Sequence, residues 1–112
     1  MSVPFSVQRE NLITVLDALG DPTRFTILEL ILDHGEVACS ELDDLLGLAK
    51  STISYHTKIL HAAGLIQTRR DGRFFHYRPT PFAEESVPAL MELVIRLLPH
   101  ELPDSESCSK TA

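Results

Sequence analysis

The stretch from 40 to 65 constrains the fold most, because two short helical patterns meet there at a single glycine. Ser40 fits the capping position of a first helix, with Asp43 three residues on completing a capping box, and Gly47 suits the left-handed residue that follows a helix. A four-residue turn that starts at this glycine leads into a second helix, which ends before Gly64. Two helices joined by a tight glycine turn predict a helix-turn-helix, whose second helix lies in the major groove of DNA.

The second helix of this motif has two different faces at about 100° per residue. The face that we expect to pack on the core carries Ile53, His56, Ile59, Leu60 and Ala63. The opposite face carries Ser51, Ser54, Tyr55, Lys58 and Ala62. Residues 45–70 contain no Asp or Glu, whereas an ordinary solvated helix face mixes acids with bases. The outward face is therefore predicted to meet base edges and phosphates.

A β-hairpin is predicted directly after the second helix. Residues 65–70 and 73–78 indicate two strands, and Pro79 ends the second one. Asp71-Gly72 is the predicted two-residue turn, because both central positions of the commonest hairpin turn need positive φ. In a winged helix such a hairpin is the wing, and the alternative is a solvated tip. Together, the helix and the wing give nine candidate DNA-binding residues: Lys50, Ser51, Thr52, Ser54, Tyr55, Lys58, Arg69, Arg70 and Arg73.

The charge distribution supports a nucleic-acid partner although the net charge is −6. Between Lys50 and Arg78 there are six bases and one acid, a formal charge of +5, which leaves −11 for the rest of the chain. Such asymmetry indicates one basic face for a polyanion, while the remainder repels it. A purely acidic interaction module would not concentrate its arginines in one hairpin.

Two further helices are predicted before the helix-turn-helix. The first covers 7–19, with Ser6 as its cap. The second covers 22–34, with Asp21 as its cap, proline at its first position and Gly35 at its end. It is apolar nearly all round, which is typical of the central helix of a small domain.

The last predicted helix covers 81–98, with Thr80 as its cap, and Pro88 should kink or divide it. Its apolar residues cover more than one face, although a terminal helix need bury only one stripe. The excess predicts a homodimer formed mainly by this helix, with help from the first helix. The candidate interface residues are Leu12, Leu16, Leu90, Met91, Val94, Ile95 and Leu98.

Length and composition fit one domain of 112 residues, 44% of them apolar. We expect the domain over 7–98, between a loose start at 1–6 and a polar, disordered tail at 99–112. There is no apolar run of membrane-span length and no signal-peptide pattern, and two distant cysteines fit a reducing cytoplasm. The fold class is therefore mainly α with a small β-hairpin, in the order α-α-α-α-β-β-α.

The sequence LGDPTR at 19–24, the run KSTISYHTKILHAAGLI at 50–66 and the hairpin RRDGRFFHY at 69–77 resemble the ArsR/SmtB family over roughly residues 8–98. The resemblance implies a small bacterial winged helix-turn-helix repressor that acts as a homodimer in the cytoplasm. It also implies binding to a double-stranded DNA operator and release by an effector. It does not identify that effector.

The resemblance also suggests where an effector could bind, since the family senses metals through thiolates and imidazoles. One family site is a C-V-C pair, which aligns here with Ala38 and Ser40; Cys39 lies between them, so the thiol pair is absent. A second family site uses carboxylates and imidazoles on the terminal helix, but its Asp-x-His pattern is missing. Weak candidates for a zinc or nickel site are Glu84, Glu85, His100, Cys39 and His34.

The sequence argues against an enzyme and leaves two questions open, the kind of partner and the class of effector. No glycine-rich phosphate loop, metal-hydrolase signature or nucleophile elbow is present, so we expect no enzyme. The competing interpretation is a winged-helix module that binds a protein partner without DNA. The effector could be a metal ion, a thiol-reactive species or absent.

Overall fold

The structure of the protein is a computed structural model that describes residues 5–99, and their side chains from residue 9 onward. It confirms the predicted mainly α architecture with a hairpin and adds one short strand. The elements are α1 (Phe5–Leu19), α2 (Pro22–His34), β1 (Val37–Ala38), α3 (Cys39–Leu46), α4 (Lys50–Ala62), β2 (Ile66–Asp71), β3 (Phe74–Pro79) and α5 (Pro81–Leu97).

The strand that the sequence did not reveal is β1, which has only two residues. It pairs antiparallel with β3, where Val37 lies opposite Tyr77, and the sheet order is β1-β3-β2. Two residues are too few to show the alternation that identifies a strand. The strand fixes the start of the helix-turn-helix to the base of the wing.

The core lies around α2, as its apolar composition predicted. Ile27, Leu28 and Ile31 of this helix are almost completely buried. Each of the other elements adds at least one side chain to the same cluster, which includes Val15, Ala18, Val37, Leu42, Ile53, Leu60, Ile66, Tyr77, Ala83 and Val87. Burial of this apolar surface is the main force that holds the wing and α4 in place.

Two predicted helix caps are confirmed. The Asp21 carboxylate accepts a hydrogen bond from the Arg24 backbone N–H at 2.9 Å, and Pro22 occupies the first helical position. The Thr80 hydroxyl accepts one from the Ala83 N–H at 3.1 Å. Both caps satisfy a backbone donor that the first turn of a helix leaves without a partner.

Two other predicted caps are wrong. Helix α1 begins at Phe5, so Ser6 lies inside it. Helix α3 begins at Cys39, so Ala38 rather than Ser40 is its N-cap, and the Ala38 N–H donates to the Glu41 carboxylate at 3.2 Å. The pairing of β1 with β3 keeps the backbone extended up to residue 38, and the helix starts immediately afterwards.

The two turns that frame the DNA-facing elements also differ slightly from the prediction. Only three residues separate α3 from α4, so Lys50 is the first residue of α4 rather than part of the turn. In the hairpin, Asp71 pairs with Phe74, which makes Gly72-Arg73 the loop. Gly72 has φ +61° and no other residue of the hairpin has positive φ, as in a turn that needs it only at its first central position.

Helix α5 runs continuously through Pro88, so this proline does not divide it. None of the helices in the described part of the chain has the combination of length and apolar character that crossing a membrane requires. The predicted tail from His100 onward lies outside the described residues.

Candidate nucleic-acid interface

Helix α4 separates its two faces largely as the sequence predicted. Ile53, His56 and Leu60 are buried on the core side. Thr57 is also buried, and its hydroxyl donates a hydrogen bond to the Ile53 carbonyl oxygen at 2.9 Å, which satisfies this polar group without water. The outward side presents Lys50, Ser51, Tyr55 and Lys58 as exposed residues, with Thr52 and Ser54 partly exposed.

The hairpin brings its tip next to the beginning of α4. Lys50, Ser54 and Arg73 line one open cleft together with Phe74 and Phe75, and its remaining wall is formed by Cys39, Ser40 and Tyr77. A second cleft, further along α4, is lined by Lys58 and by Ser54, Thr57, His61, Thr68, Phe75 and Tyr77. The structure therefore brings residues from the helix and from the wing into one basic surface, which contains cations, hydroxyls and aromatic rings.

The three wing arginines have different surroundings, which the sequence could not reveal. The Nε of Arg69 donates to the Glu36 carboxylate at 2.9 Å. The Nε of Arg70 donates to the Gly72 carbonyl oxygen at 3.1 Å. Arg73 is exposed in the loop itself. Arg73 is therefore the wing cation best placed for a phosphate, while Arg69 already has an acidic partner.

The ion pair between Arg69 and Glu36 also affects the acid–base behaviour of both groups. The hydrogen bond from the guanidinium lowers the pKa of Glu36, and the same hydrogen bond raises the pKa of Arg69. Both side chains are substantially exposed, so the pair adds little to the free energy of unfolding. Its effect is to give the Arg69 guanidinium an acidic partner at Glu36, the residue before β1.

Tyr77 forms the floor between the two clefts. Burial raises the pKa of its phenol, and a hydrogen bond with Thr57 opposes this rise. The hydroxyl of Thr57 lies 3.5 Å from that of Tyr77. The neutral phenol thus links α4 to β3 from beneath, behind the surface that faces outward.

Two exposed aromatic residues of the wing were missed in the sequence. Phe74 is 60% exposed and Phe75 is 45% exposed, and Phe75 lines both clefts. The guanidinium carbon of Arg70 lies 5.8 Å from the centre of the Phe75 ring. The available signal was the period of two along β3. Phe75 lies two residues before Tyr77, so both side chains are on the same face of the strand, which is the face that lines the clefts.

The four candidate metal ligands that the structure describes do not form a metal site. Among residues 5–99, no three His, Cys, Asp or Glu side chains are grouped closely enough to hold a metal ion. The Nδ1 of His34 lies 2.8 Å from the Leu30 carbonyl oxygen of its own helix, and Cys39 is partly buried beside the first cleft. Glu84 and Glu85 are exposed on α5.

Helices α1 and α5 share a large exposed apolar surface. Leu12, Leu16, Val94, Ile95 and Leu98 are each at least 44% exposed, and Leu90 and Met91 are partly buried beside them. A monomer seldom exposes so many large apolar side chains on adjoining helices.

A helix-turn-helix whose second helix presents an acid-free face, followed by a basic hairpin beside that face, defines a winged helix-turn-helix DNA-binding domain. Residues 19–69 match the model of a helix-turn-helix domain family. The chain is 33% identical over 89 residues to an uncharacterized HTH-type transcriptional regulator of Methanocaldococcus jannaschii, covering 79% of this chain and 96% of the relative. It is 31% identical to a putative arsenical resistance operon repressor of Halobacterium salinarum, covering 70% and 67% of the two chains.

Among solved structures, the chain is similar to the homodimeric winged helix-turn-helix DNA-binding domain of a possible ArsR-family regulator from Mycobacterium bovis. The TM-score is 0.73 at 27% identity, over 93% of this chain and 96% of that one. The protein thus belongs to the ArsR family of winged helix-turn-helix proteins and is a DNA-binding transcriptional regulator.

Proposed function

We propose that the protein is a homodimeric repressor that binds an operator in double-stranded DNA and leaves it when an effector binds. The observation that carries this proposal is the basic cleft in which Lys50, Ser54 and Arg73 come together from α4 and the wing. Helix α4 would enter the major groove there, while the wing reaches the adjacent backbone. Acting on chromosomal DNA places this function in the cytoplasm.

The outward residues of α4 and the wing divide into two proposed roles. Ser51, Thr52, Ser54 and Tyr55 carry short or planar polar groups that suit base edges. Cations suit phosphates, which fix the register of the protein on the duplex; these are Lys50, Lys58, Arg70 and Arg73. Arg69 takes part only if a phosphate replaces Glu36 as its partner.

We propose that the shared apolar surface of α1 and α5 forms the homodimer interface. It contains the seven predicted interface residues, and the similar Mycobacterium bovis domain is homodimeric. A two-fold dimer would present two α4 helices, so the operator should have two half-sites about one helical turn apart.

The competing function is a winged-helix module that binds a protein partner. The acid-free surface of α4 favours DNA, because a duplex carries one negative charge per about 1.7 Å of its axis.

The test is a mobility-shift titration with DNA from upstream of the protein's own gene, against unrelated DNA of equal length and composition. We expect preferential binding of the upstream fragment, with a footprint in two half-sites. Equal, weak binding of both fragments would contradict the proposal. A reporter behind the upstream fragment then gives the direction of regulation, since a repressor lowers its output.

A further inference from the structure

The side chain of Arg24 joins the end of α1 to the recognition helix α4. Its Nε donates to the Ala18 carbonyl oxygen at 2.6 Å, and its Nη2 donates to the Asp17 carbonyl oxygen at 3.3 Å. Its Nη1 lies 3.3 Å from the Nδ1 of His56 in α4. The Arg24 guanidinium therefore contacts two helices. One is α1, which belongs to the proposed dimer interface and is contacted at its last turn; the other is α4, which is contacted on its buried side and is proposed to face DNA with the other side.

The contact with His56 selects one tautomer of its imidazole. A guanidinium can only donate hydrogen bonds, so Nδ1 is the acceptor in this contact, which assigns the ring proton to Nε2. The Asp21 carboxylate also faces this nitrogen, at 3.9 Å. His56 is buried, and the ring of its neighbour Tyr55 meets it edge-on with the ring centres 5.2 Å apart. Tyr55 itself is 61% exposed on the outward face.

We propose that Arg24 and His56 are positioning residues that set the orientation of α4 relative to α1, and through it the sequence specificity of DNA binding. This inference rests on the proposed operator binding. Contacts with base edges need side chains held within about 0.5 Å and 10–20°, whereas exposed lysines and arginines follow phosphates over a wider range. Loss of the link therefore reduces specific binding more than non-specific binding.

The contacts of Arg24 with α1 and with His56 need several N–H donors of one guanidinium. A substitution that keeps the charge but not these donors therefore tests the link selectively. Arg24→Lys keeps the positive charge but replaces the planar fork with one ammonium group, which cannot reach both the carbonyl oxygens of α1 and His56. His56→Leu removes the acceptor. His56→Asn keeps an acceptor oxygen near the place of Nδ1 and is the conservative rescue, while Arg9→Lys is the matched control on the exposed side of α1.

The experiment measures fluorescence anisotropy of each variant with the footprinted upstream fragment and with unrelated DNA, at one salt concentration, alongside the melting temperature. Arg24→Lys and His56→Leu should each lower the ratio of the two affinities at least about tenfold, with non-specific affinity unchanged. The double variant should lose little more than either single one, because both break the same link. His56→Asn should stay within about threefold of the parent, and Arg9→Lys should match it.

Three results would overturn the inference: an unchanged affinity ratio in folded variants, a parallel fall of both affinities with the melting temperature, or additive losses in the double variant.

Nitrogen NMR of the imidazole in the DNA-free protein separates failure of this inference from failure of the proposed function. The parent should show the Nε2–H form and Arg24→Lys a mixture of both tautomers. If the parent binds all DNA equally, the proposed function fails, whereas mixed tautomers in the parent would refute the Arg24–His56 contact itself.

Discussion

Asp21 shows how a single side chain serves both local structure and the wider network around α4. Its carboxylate caps α2 through the Arg24 N–H, and this hydrogen bond lowers the pKa of Asp21 below its ordinary value of 3.8. A carboxyl whose pKa is lower in the folded state stabilises the fold above its unfolded pKa, and this contribution disappears as the pH falls through the folded pKa.

We therefore expect Asp21→Asn, which can still cap the helix, to remove part of the acid sensitivity. The free energy of unfolding of the parent should decline relative to that of the variant as the pH falls from about 5 to 3. Urea titrations at a series of pH values measure this difference, with Asp44→Asn on the surface as control. A constant difference across that range would show that Asp21 does not act through its charge.

The soft-metal site of the family needs thiols at the two positions on either side of Cys39. The expected thiol positions are Ala38 and Ser40; Ala38 is a buried N-cap, and Cys39 is rotated by about 100° from the neighbouring helical position. We expect operator release, if any metal causes it, to come from zinc or nickel rather than arsenite or cadmium. The four ions are compared on the parent and on a Cys39→Ser/Cys108→Ser variant. Release of the parent by submicromolar arsenite, lost in the variant, would make the cysteines the sensor.

Local residue chemistry could be predicted from the sequence where the partner is near in the chain, and not where it is distant. The caps Asp21 and Thr80 follow from residues within three positions. The partner of Arg69 is Glu36, which lies 33 residues away and reaches it only because β1 joins the sheet. The same holds for the bond between Arg24 and His56, 32 residues apart.

At the scale of elements, the long helices and the hairpin were predictable from the sequence. The apolar pattern of each helix repeats over several turns, and the strand pattern of the hairpin extends over several residue pairs. Strand β1 was not predictable, and its absence from the prediction displaced the cap of α3 from Ala38 to Ser40 and the start of the helix by the same two residues. The hairpin loop shifted by one residue because Asp71 pairs with Phe74 and so belongs to β2 rather than to the turn.

The surface of α5 leads to a prediction at the same scale. Leu93 and Ile95 are 53% and 66% exposed, and the double variant Leu93→Glu/Ile95→Glu should put unpaired charges into the proposed dimer interface. We expect the variant to sediment as a monomer at low micromolar concentration, where the parent is a dimer. Leu45→Glu, at an exposed leucine of α3, is the matched control. A variant that still sediments as a dimer would exclude α5 from the interface.

For the whole molecule, the uneven distribution of charge is what reconciles a net charge of −6 with binding to a polyanion. The sequence already showed that residues 50–78 carry six of the ten bases. The fold adds that three of them, Lys50, Lys58 and Arg73, line the clefts between α4 and the wing. The rest of the molecule, which is acidic, should be repelled by DNA and so favour one docking orientation.

The most direct test of this account is the salt dependence of operator binding by the parent and by a Lys58→Ala/Arg73→Ala variant. Each lost phosphate contact should flatten the slope of log affinity against log salt by about 0.9. The double variant loses two contacts in each protomer and four in the proposed dimer, so its slope should differ from that of the parent by about 3.6. Arg9→Ala, which removes an exposed cation from α1, should leave the slope unchanged. Weaker binding with the flatter slope is the predicted result; a double variant that binds as tightly as the parent, with the same slope, would contradict the assignment of α4 and the wing as the DNA-binding surface.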